Sequence, residues 1–476
     1  MIEWEPPRHI RGMTSSKLLF PRRFALAAFA LTALTLPAVA CTEAGEEEEG
    51  VDDVGDDDGD DDEGEMELWE SVHSELDYDD QPDADEVERL DLAMDQLALG
   101  LDLYHYMGEG AFEGQNVVNS PVSIQTAFGM LYGATEGVTK TQMESTLHFT
   151  LGEERQHVAM NWQHLQLASR EMPKLESEFA NEDPVILGTA NRAWINEARS
   201  EELIPDFLDL LAVHYDTGVY LADFNSNADG ERIAINGWVA DRTHGLVQDL
   251  IPVIPDGSSM VLVNTLYLKA PWATPFEEFA TQTASFTLLD GSTRDVQMMQ
   301  QYAMNGYYGE GEGYAAVGVP LRGNSLELAL VLPEDLASFE AGLDAETLGG
   351  ILEGMDYATI DTSMPRFELR AKASLKQALT DLGMPAAFDN GEDFTGVLTN
   401  GMGPIFDVIH EAVILTDEGG IEAAAATAIV QDEGGGGELE PEYTFVADKP
   451  FVVVVYDRPS RTPLFVGRVV DPGAGD

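Results

Sequence analysis

Hydrophobic positions change along the chain from a helical spacing in the first half to strand-like runs in the second. The clearest helical spacing extends from Val87 to Tyr106, where apolar side chains recur every three or four residues. Ser120-Pro121 opens another apolar helix, because proline is favoured in a first helical turn. Further helices are predicted at Glu201 to Tyr215 and Gly230 to Thr243. The predicted strands are Met260 to Lys269, Ala315 to Leu321, Leu326 to Leu332, Phe406 to Leu415, Tyr443 to Val446, Phe451 to Tyr456 and Leu464 to Val470. Helices that precede strands, rather than alternating with them, indicate an α+β fold.

The charge of the chain is strongly negative and unevenly distributed. It has 87 acidic and 25 basic side chains, for a formal net charge of −62. This charge argues against nucleic acid as a partner, because phosphate repels carboxylate. Acidic residues and glycine dominate residues 41–86. A segment with so few apolar side chains is predicted to be a disordered, extended tether. It lacks the ligand spacing of an EF-hand, so we predict no metal site there.

The first forty residues have the pattern of a secretory signal. Basic residues precede an apolar run from Phe24 to Ala40, which is short for a membrane-spanning helix. Ala38-x-Ala40 fits signal cleavage, and small residues before Cys41 also fit a bacterial lipoprotein signal. Cys41 is the only cysteine, so no internal disulfide can form. Two alternatives stay open: a lipoprotein anchored at the cell surface or in the periplasm through lipidated Cys41, and a secreted protein with a free thiol. The start codon, Met1 or Met13, also stays open.

Residues 87–476 are predicted to form one domain, because they contain no long linker and no internal repeat. The nucleophile elbow G-x-S-x-G, the zinc motif H-E-x-x-H and the P-loop are all absent from the sequence. We therefore expect neither enzymatic activity nor a cofactor. A hydrolase with an unrecognised site is the remaining enzymatic alternative.

Five segments of this domain resemble, in their order and spacing, the motifs of the serpin family of protease inhibitors. They are Asn119 to Ile124 with Gly133-Ala134 and Gly137 to Thr139; Ile235 to Val239 with Thr243 to Gly245; Asn264 to Trp272; Met364 to Phe367; and His410 with Asp417 to Thr427, followed by Asp448 to Phe451 and Pro463 to Arg468. The resemblance covers nearly all of the domain. It implies a monomeric, metastable protein with a large central mixed β-sheet, further sheets and about eight to nine helices.

The resemblance also implies roles for residues around the central sheet. Four polar residues match the shutter, a hydrogen-bonded cluster that controls strand separation: Ser120, Ser123, Asn264 and His410. Trp272 and Glu418 match the breach, the end of the sheet where an exposed loop first enters. Each residue could instead be an ordinary capping, polar or core residue.

The segment from Glu418 to about Leu439 matches the reactive-centre loop. Its hinge comprises Glu418, Gly419, Gly420, Ile421, Glu422, Ala423, Ala424, Ala425, Ala426 and Thr427. In inhibitory members a protease cleaves the loop and forms an acyl-enzyme. The freed loop then inserts into the central sheet and distorts the bound protease. Because side chains alternate along a strand, placing Ile421 inward also places Ala423, Ala425 and Thr427 inward. No proline interrupts Glu418 to Asp432, so every N–H can join a ladder.

The cleaved bond stays open among Glu433, Gly434, Gly435, Gly436, Gly437, Glu438, Leu439 and Glu440. Counting forward from Glu418 with the family spacing gives Gly434-Gly435, whereas counting back from Pro450-Phe451 gives positions from Gly436-Gly437 to Leu439-Glu440. No Arg or Lys occurs between Glu418 and Ala447, so the expected target is a serine or cysteine protease that is not trypsin-like. The alternative is a non-inhibitory, serpin-like surface binding protein.

Overall fold

A computed structural model of the chain describes residues 69–110, 112–176, 181–389, 393–422 and 440–474. All of them lie in one compact unit, Met66–Asp476. The α-helices are α1 (Glu86–Glu109), α2 (Pro121–Tyr132), α3 (Gly137–Thr146), α4 (Glu153–Ala168), α5 (Pro205–Tyr215), α6 (Ala228–Arg242), α7 (Leu336–Glu340), α8 (Ala345–Glu353), α9 (Lys376–Leu382) and α10 (Ala386–Asp389). Short 3₁₀ helices span Glu197–Glu202 and Glu278–Ala280.

The described strands fall into three sheets. They are β1 (Ser71–Val72), β2 (Val117–Asn119), β3 (Leu175–Glu176), β4 (Asn181–Glu182), β5 (Ile186–Asn196), β6 (Val219–Ala222), β7 (Met260–Pro271), β8 (Gln282–Thr287), β9 (Thr293–Gly311), β10 (Tyr314–Pro320), β11 (Leu326–Pro333), β12 (Asp356–Pro365), β13 (Phe367–Ser374), β14 (Ile409–Thr416), β15 (Gly420–Ile421), β16 (Tyr443–Val446), β17 (Phe451–Asp457) and β18 (Thr462–Val469). The predicted α+β fold with a large mixed sheet and further sheets is confirmed.

The central sheet has seven strands in the order β1-β6-β5-β7-β15-β14-β13. The pairing of β5 with β6 is parallel and the other pairings are antiparallel, so the sheet is mixed. The upper end of the sheet is where Pro271 of β7 pairs with Gly420, and the lower end is where Met260 of β7 pairs with Ile195.

Apolar clusters cover both faces of the lower half of the central sheet. Trp194 and Ile195 are neighbours on β5 and therefore point to opposite faces. Ile195 packs with α2 and α5, whereas Trp194 packs with Trp238 of α6. A nine-stranded sheet containing β9 to β12 and β16 to β18 packs against α1 and the upper half of the central sheet. The central sheet is thus enclosed between helices, as a buried sheet requires.

Most predicted elements lie within two residues of the observed ones, and three differ more. The first helix extends three residues beyond the predicted end, to Glu109. The predicted helix from Glu201 to Tyr215 is divided, because Pro205 opens α5 and a 3₁₀ helix ends at Glu202. Leu203, between them, forms a bridge with Leu398 instead. The predicted strand from Phe406 begins only at Ile409. Eight of the ten α-helices in the described ranges have seven or more residues, in line with the predicted number.

The prediction that the acidic segment is disordered as far as residue 86 is wrong for residues 69–86. Trp69 is buried, with its Nε1 donating to Glu231 at 2.7 Å and its ring edge-on to Trp194 at 5.4 Å. Strand β1 then pairs with β6 at the edge of the central sheet. Further on, the Tyr78 hydroxyl donates to Asn161 of α4 at 2.6 Å. A few well-placed aromatic contacts therefore order a segment whose composition indicates disorder. We call residues 69–85 the arm.

The docking of the arm on the central sheet can be tested by substitution. Replacing Trp69 by alanine removes a buried ring, and we expect a loss of about 3 kcal/mol in the free energy of unfolding. Leu76→Ala is the matched control, because Leu76 lies in the same arm but is 52% exposed. That control should change stability by less than about 0.5 kcal/mol. Urea unfolding followed by circular dichroism measures both, and equal values for the two variants would contradict the docking of the arm.

Candidate functional site

The predicted hinge enters the central sheet at its upper end. Strand β15 pairs with β14 through Thr416 and Ile421, and with β7 through the pairs Gly420–Pro271 and Ile421–Ala270. The N–H of Glu422 donates to the carbonyl of Leu415 at 2.9 Å. The chain therefore turns back after β14 and begins a new strand between two existing ones.

Glycine at position 420 is required by a close approach rather than by flexibility alone. A Cβ atom placed on Gly420 would lie 2.3 Å from the carbonyl oxygen of Ala270 and 2.6 Å from Cα of Pro271. No side chain fits at such distances, so any larger residue would push the hinge away from β7. The glycine pair predicted as a hinge thus also permits close packing of the backbone.

The two predicted breach residues lie together around this turn. Trp272 is 2% exposed, and its indole Nε1 donates to the carbonyl of Asp417 at 2.8 Å. The backbone N–H of Trp272 donates to the carbonyl of Gly419 at 2.9 Å, and that of Phe276 donates to the carbonyl of Glu418 at 2.9 Å. The segment after β7 therefore holds the turn in place through its backbone.

An ion pair fixes the side chain of Glu418, which is 6% exposed. Its Oε1 accepts from Nε and Nη2 of Arg366, at 2.9 and 2.6 Å, and from the hydroxyl of Thr281. Burial opposes the charged form, but the hydrogen bonds from Arg366 and Thr281 outweigh it and lower the pKa of Glu418. Glu418 is therefore held as a carboxylate that ties the hinge to Arg366, between β12 and β13, and to the segment before β8.

Asp417 closes the turn from within. Its Oδ1 accepts from the N–H of Gly419 at 2.7 Å and from that of Gly420 at 3.2 Å. Burial raises the pKa of Asp417, although these two hydrogen bonds favour the charged form. The Asp417 carboxylate thus serves as the acceptor for the backbone N–H groups of both glycines at the turn.

Ile421 and Glu422 lie on opposite faces of the entering strand. Ile421 is 2% exposed and faces the core on the same side as Ile414 and Thr416 of β14. Glu422 is half-buried on the other face, and burial raises its pKa despite a hydrogen bond from Tyr267. Its φ of 48° lies in the left-handed region, which side chains other than glycine adopt at a strain. Regular strand geometry therefore ends at Glu422 in this structure.

Below β15 the described strands leave a space between β7 and β14. No ladder joins these two strands in the described ranges; each pairs with β15 and with its outer neighbour. A cavity of about 390 Å³ lies at the lower end. It is lined by α2, by the start of β7 and by the chain leading into β14, including Phe128, Val261 and Ile409. The sheet thus has an apolar slot directly in line with the hinge.

Three of the four predicted shutter residues border this slot, and two of them are joined directly. The N–H of Ser120, at the start of α2, donates to Nε2 of His410 at 3.1 Å, which requires a neutral imidazole. Burial lowers the pKa of His410 to about 4. Ser123 is buried and lines the same cavity as His410. Asn264 pairs through its backbone with Asn191 of β5. The side chain of Asn264 lies outside the description, and control of strand separation by the cluster stays a prediction.

Other predicted residues lie outside the described ranges. These are Cys41, Ala423, Ala424, Ala425, Ala426, Thr427, Glu433, Gly434, Gly435, Gly436, Gly437, Glu438 and Leu439. Glu440 is described and is exposed just before β16, which pairs with β12. Both ends of the predicted loop are therefore fixed, one in the central sheet and one on the nine-stranded sheet.

Sequence reasoning missed Arg366, Thr281 and Asp417, which hold the hinge. Arg366 lies within the segment Met364 to Phe367, but no role was assigned to it. The sequence did contain a signal for such partners. A carboxylate predicted at a buried position needs a cation or several hydrogen-bond donors nearby. The described residues contain no group of three or more potential metal ligands, and none of their helices is long and apolar enough to cross a bilayer.

Comparisons with known proteins agree on one family. The family described as Serpin (serine protease inhibitor) matches residues 94–472. An uncharacterized serpin-like protein of Thermococcus kodakarensis is 30% identical over 376 residues, covering 79% of this chain and 84% of the relative. Antithrombin-III of Homo sapiens is 30% identical over 379 residues, covering 78% and 79% of the two chains. The solved structure of human thyroxine-binding globulin superimposes with a TM-score of 0.68 at 27% identity, covering 81% of this chain and 99% of the other.

The buried imidazole of His410 predicts a component of acid sensitivity. Its pKa is about 4 in the folded protein, against about 6.5 in an unfolded chain. The neutral ring therefore contributes stability above pH 6.5, and this contribution is lost as the pH falls toward 4. The difference amounts to about 3 kcal/mol. His410→Leu should remove this component, and should lower stability at pH 7 by about 1–3 kcal/mol because the N–H of Ser120 loses its acceptor.

Urea unfolding of both proteins at pH 7 and pH 4.5 measures the effect. His73→Gln is the control, because His73 is exposed. Other buried histidines, such as His157, contribute equally to wild type and variant and cancel in the comparison. An acid dependence of His410→Leu equal to that of wild type would contradict the assignment.

Proposed function

The chain belongs to the serpin family, and we propose that it is a suicide-substrate inhibitor of serine endopeptidases. Members of this family generally inhibit serine proteases, and some are non-inhibitory. In the proposed reaction a target protease cleaves the exposed loop and forms an acyl-enzyme, and the freed loop then becomes a strand of the central sheet. The observation that carries the proposal is β15, which already pairs on both sides between β7 and β14.

The register of β15 defines where each following residue would lie after insertion. Moving six residues along from the pairs Thr416–Ile421 and Ala270–Ile421 brings Thr427 opposite both His410 and Asn264. The inserted strand would therefore run past the predicted shutter and into the cavity at the lower end. Insertion would add two ladders of backbone hydrogen bonds below β15, one to β7 and one to β14.

The side chains of the loop suit this register. Ile421 faces the core, so Ala423, Ala425, Thr427 and Ile429 would face it as well. On the opposite face of the strand, Glu422 would lie beside Lys269, its partner on β7 in the same register. A shift by one residue would turn the carboxylate of Glu422 into the core, at several kcal/mol for an unpaired charge. The sequence therefore favours a single register.

The proposed target is a serine protease, with cysteine proteases as a second possibility, that does not require Arg or Lys at the cleaved bond. No basic residue occurs from Glu418 to Ala447. Leu439 suits a protease that prefers leucine, and Glu433 or Glu438 one that prefers glutamate. Gly434 to Gly437 presents little side chain for recognition, which is compatible with subtilisin-like or elastase-like enzymes. We propose a monomer, since one molecule holds both the bait and the slot.

A second candidate function is binding without inhibition. The similarity to thyroxine-binding globulin favours it, because that solved relative has the same fold and a name that describes binding. The glycine run in the loop is also compatible with a segment that has no protease target. If this alternative holds, proteases would cut the loop and then dissociate without being inhibited.

Incubation with a panel of serine and cysteine proteases tests the proposal. We expect a complex that survives denaturing electrophoresis, a released C-terminal peptide whose mass identifies the cut bond, and a large rise in melting temperature after cleavage. Ala425→Asp should abolish the complex and turn the protein into a substrate, because the charge would face the core on insertion. Ala425→Ser is the matched control and should still form the complex. Cleavage that leaves thermal stability unchanged would refute the inhibitory function, and cutting by all proteases without trapping would favour the second candidate.

We also propose that the protein is exported and anchored through a lipid on Cys41. The support is the signal-like run before it and its position as the sole cysteine, since an exposed thiol is a chemical liability. Metabolic labelling with palmitate in a bacterial host should mark the wild type and leave Cys41→Ser unlabelled. The variant should appear in the soluble fraction. Equal labelling of both proteins, or none of the wild type, would leave secretion as the better account.

A further inference from the structure

The nine-stranded sheet has a β-bulge on β9, close to the strand that follows the loop. The pairing of β12 with β9 shifts at Asp361, which opposes two residues of β9, Tyr302 and Ala303. The φ of Ala303 is 54°, in the left-handed region that alanine adopts only at a strain. A bulge re-aims the side chains beside it, and Tyr302 is 58% exposed. The strained backbone at Ala303 thus accompanies an aromatic side chain that is presented to solvent.

A second exposed aromatic side chain lies on the neighbouring segment. Phe279 is 85% exposed, the largest fraction among the large apolar side chains in the described ranges. It lies in the 3₁₀ helix that precedes β8, and β8 pairs with β9. The chain before β8 also stays beside β9, because Nε2 of Gln301 donates to the carbonyl of Thr274 at 3.3 Å. Phe279 and Tyr302 are therefore carried by adjacent parts of the structure.

The row of exposed apolar side chains continues to β16. Val446 of β16 is 40% exposed and pairs with Ser363 of β12, which in turn pairs with Gln300 of β9. From the segment that carries Phe279 to β16 there are three strand spacings, or about 14 Å. We call Phe279, Tyr302 and Val446 the apolar patch.

The apolar patch lies between the two described ends of the predicted loop. Thr281, two residues after Phe279, donates to Glu418 at the start of the hinge. Val446 belongs to the strand that begins shortly after Glu440. A protease that engages the loop is thereby held close to the patch, which raises its effective concentration there.

The side chains that surround the apolar patch are mainly acidic. The nearby guanidinium of Arg366 is already paired with Glu418. Exposed aromatic rings within a polar rim are typical of the residues that dominate protein–protein binding. A complementary partner would present an apolar depression with basic side chains around it. The carboxylates of the rim belong to Glu277, Glu278, Asp361, Glu440 and Glu442.

We propose that the apolar patch is a docking surface for the target, and that it fits a serine protease whose apolar depression is rimmed by Lys and Arg. The inference rests on the proposed function and adds what selects the target. The loop offers little for recognition, because Gly434 to Gly437 present no side chains and no basic residue occurs between Glu418 and Ala447. Contacts outside the cleaved segment supply the selectivity that the loop sequence lacks.

The rate at which a protease cuts the loop tests this docking surface, whether or not the protease is then trapped. The probes are two serine proteases of elastase-like specificity, one with a basic and one with an acidic surface. The readout is the second-order rate constant for loss of the intact chain. We expect the basic protease to cut about tenfold faster at low salt, and to lose this advantage as salt screens the exposed charges.

Replacing both Phe279 and Tyr302 by alanine should slow the basic protease by about tenfold, because exposed aromatic anchors are lost. The melting temperature should not change. Tyr357→Ala is the matched control and should be cut at the wild-type rate. Tyr357 is 66% exposed on the same sheet, but it lies six residues along β12 from Ser363, or about 20 Å.

The outcomes separate the docking surface from the inhibitory function. Equal rates for the wild type and the double variant would overturn the docking surface, even if a covalent complex forms. A rate that depends on the patch without any covalent complex would support the docking surface and overturn the inhibitory function. An equal loss of rate in Tyr357→Ala would also overturn the assignment, because the effect would not be specific to the patch.

Discussion

The structure depends on a pairing between β7 and β14 that no described residues make below β15. Strands β7 and β14 are joined at their upper end by two residues of β15 and by no ladder of their own in the described ranges. Backbone N–H and C=O groups in a buried sheet are strong hydrogen-bonding groups that need partners. A strand that can supply both ladders at once, from the same chain and already in register, is therefore the natural occupant of the slot. Stability of an ordinary domain is only about 5–15 kcal/mol, so a strand added with both ladders would be a large contribution on that scale.

The turn at Asp417 to Gly420 fixes where such a strand would begin. Its side chains and backbone make contacts to three separate parts of the chain: Arg366, Thr281 and the segment after β7. These contacts fix the first residue of the new strand, and with it the register of every residue that follows. Since a one-residue slip would reverse the two faces, fixing the first residue is enough to specify the whole insertion.

Several parts of this arrangement were predictable from sequence because each depends on local chemistry. The helix that begins at Glu86 and the strand Tyr443–Val446 lie close to their predicted bounds, because the local side-chain pattern determines them. The order of the arm was not predictable from composition. It depends on Trp69 meeting Trp194 and Glu231, which are distant in sequence and are brought together only by the fold. Arg366 was missed for the same reason: its role is defined by Glu418, which is distant in sequence and lies in the turn between β14 and β15.

The burial of Ile421 bears on the direction of the proposed conformational change, the insertion of the loop into the central sheet. Isoleucine has more apolar surface than a small polar residue would have at this position, and that surface is buried almost completely at the mouth of the slot. Burial of that extra surface favours the first step of insertion in the uncut chain, by about 25 cal/mol for each Å² removed from water. The strained φ of Glu422 acts in the opposite sense, because it ends the strand one residue later. The hinge is therefore held at a defined starting point, with apolar burial on one side and a charged, half-buried carboxylate on the other. On the proposed mechanism the next residues follow once cleavage separates them from the far end of the loop, which leads into β16.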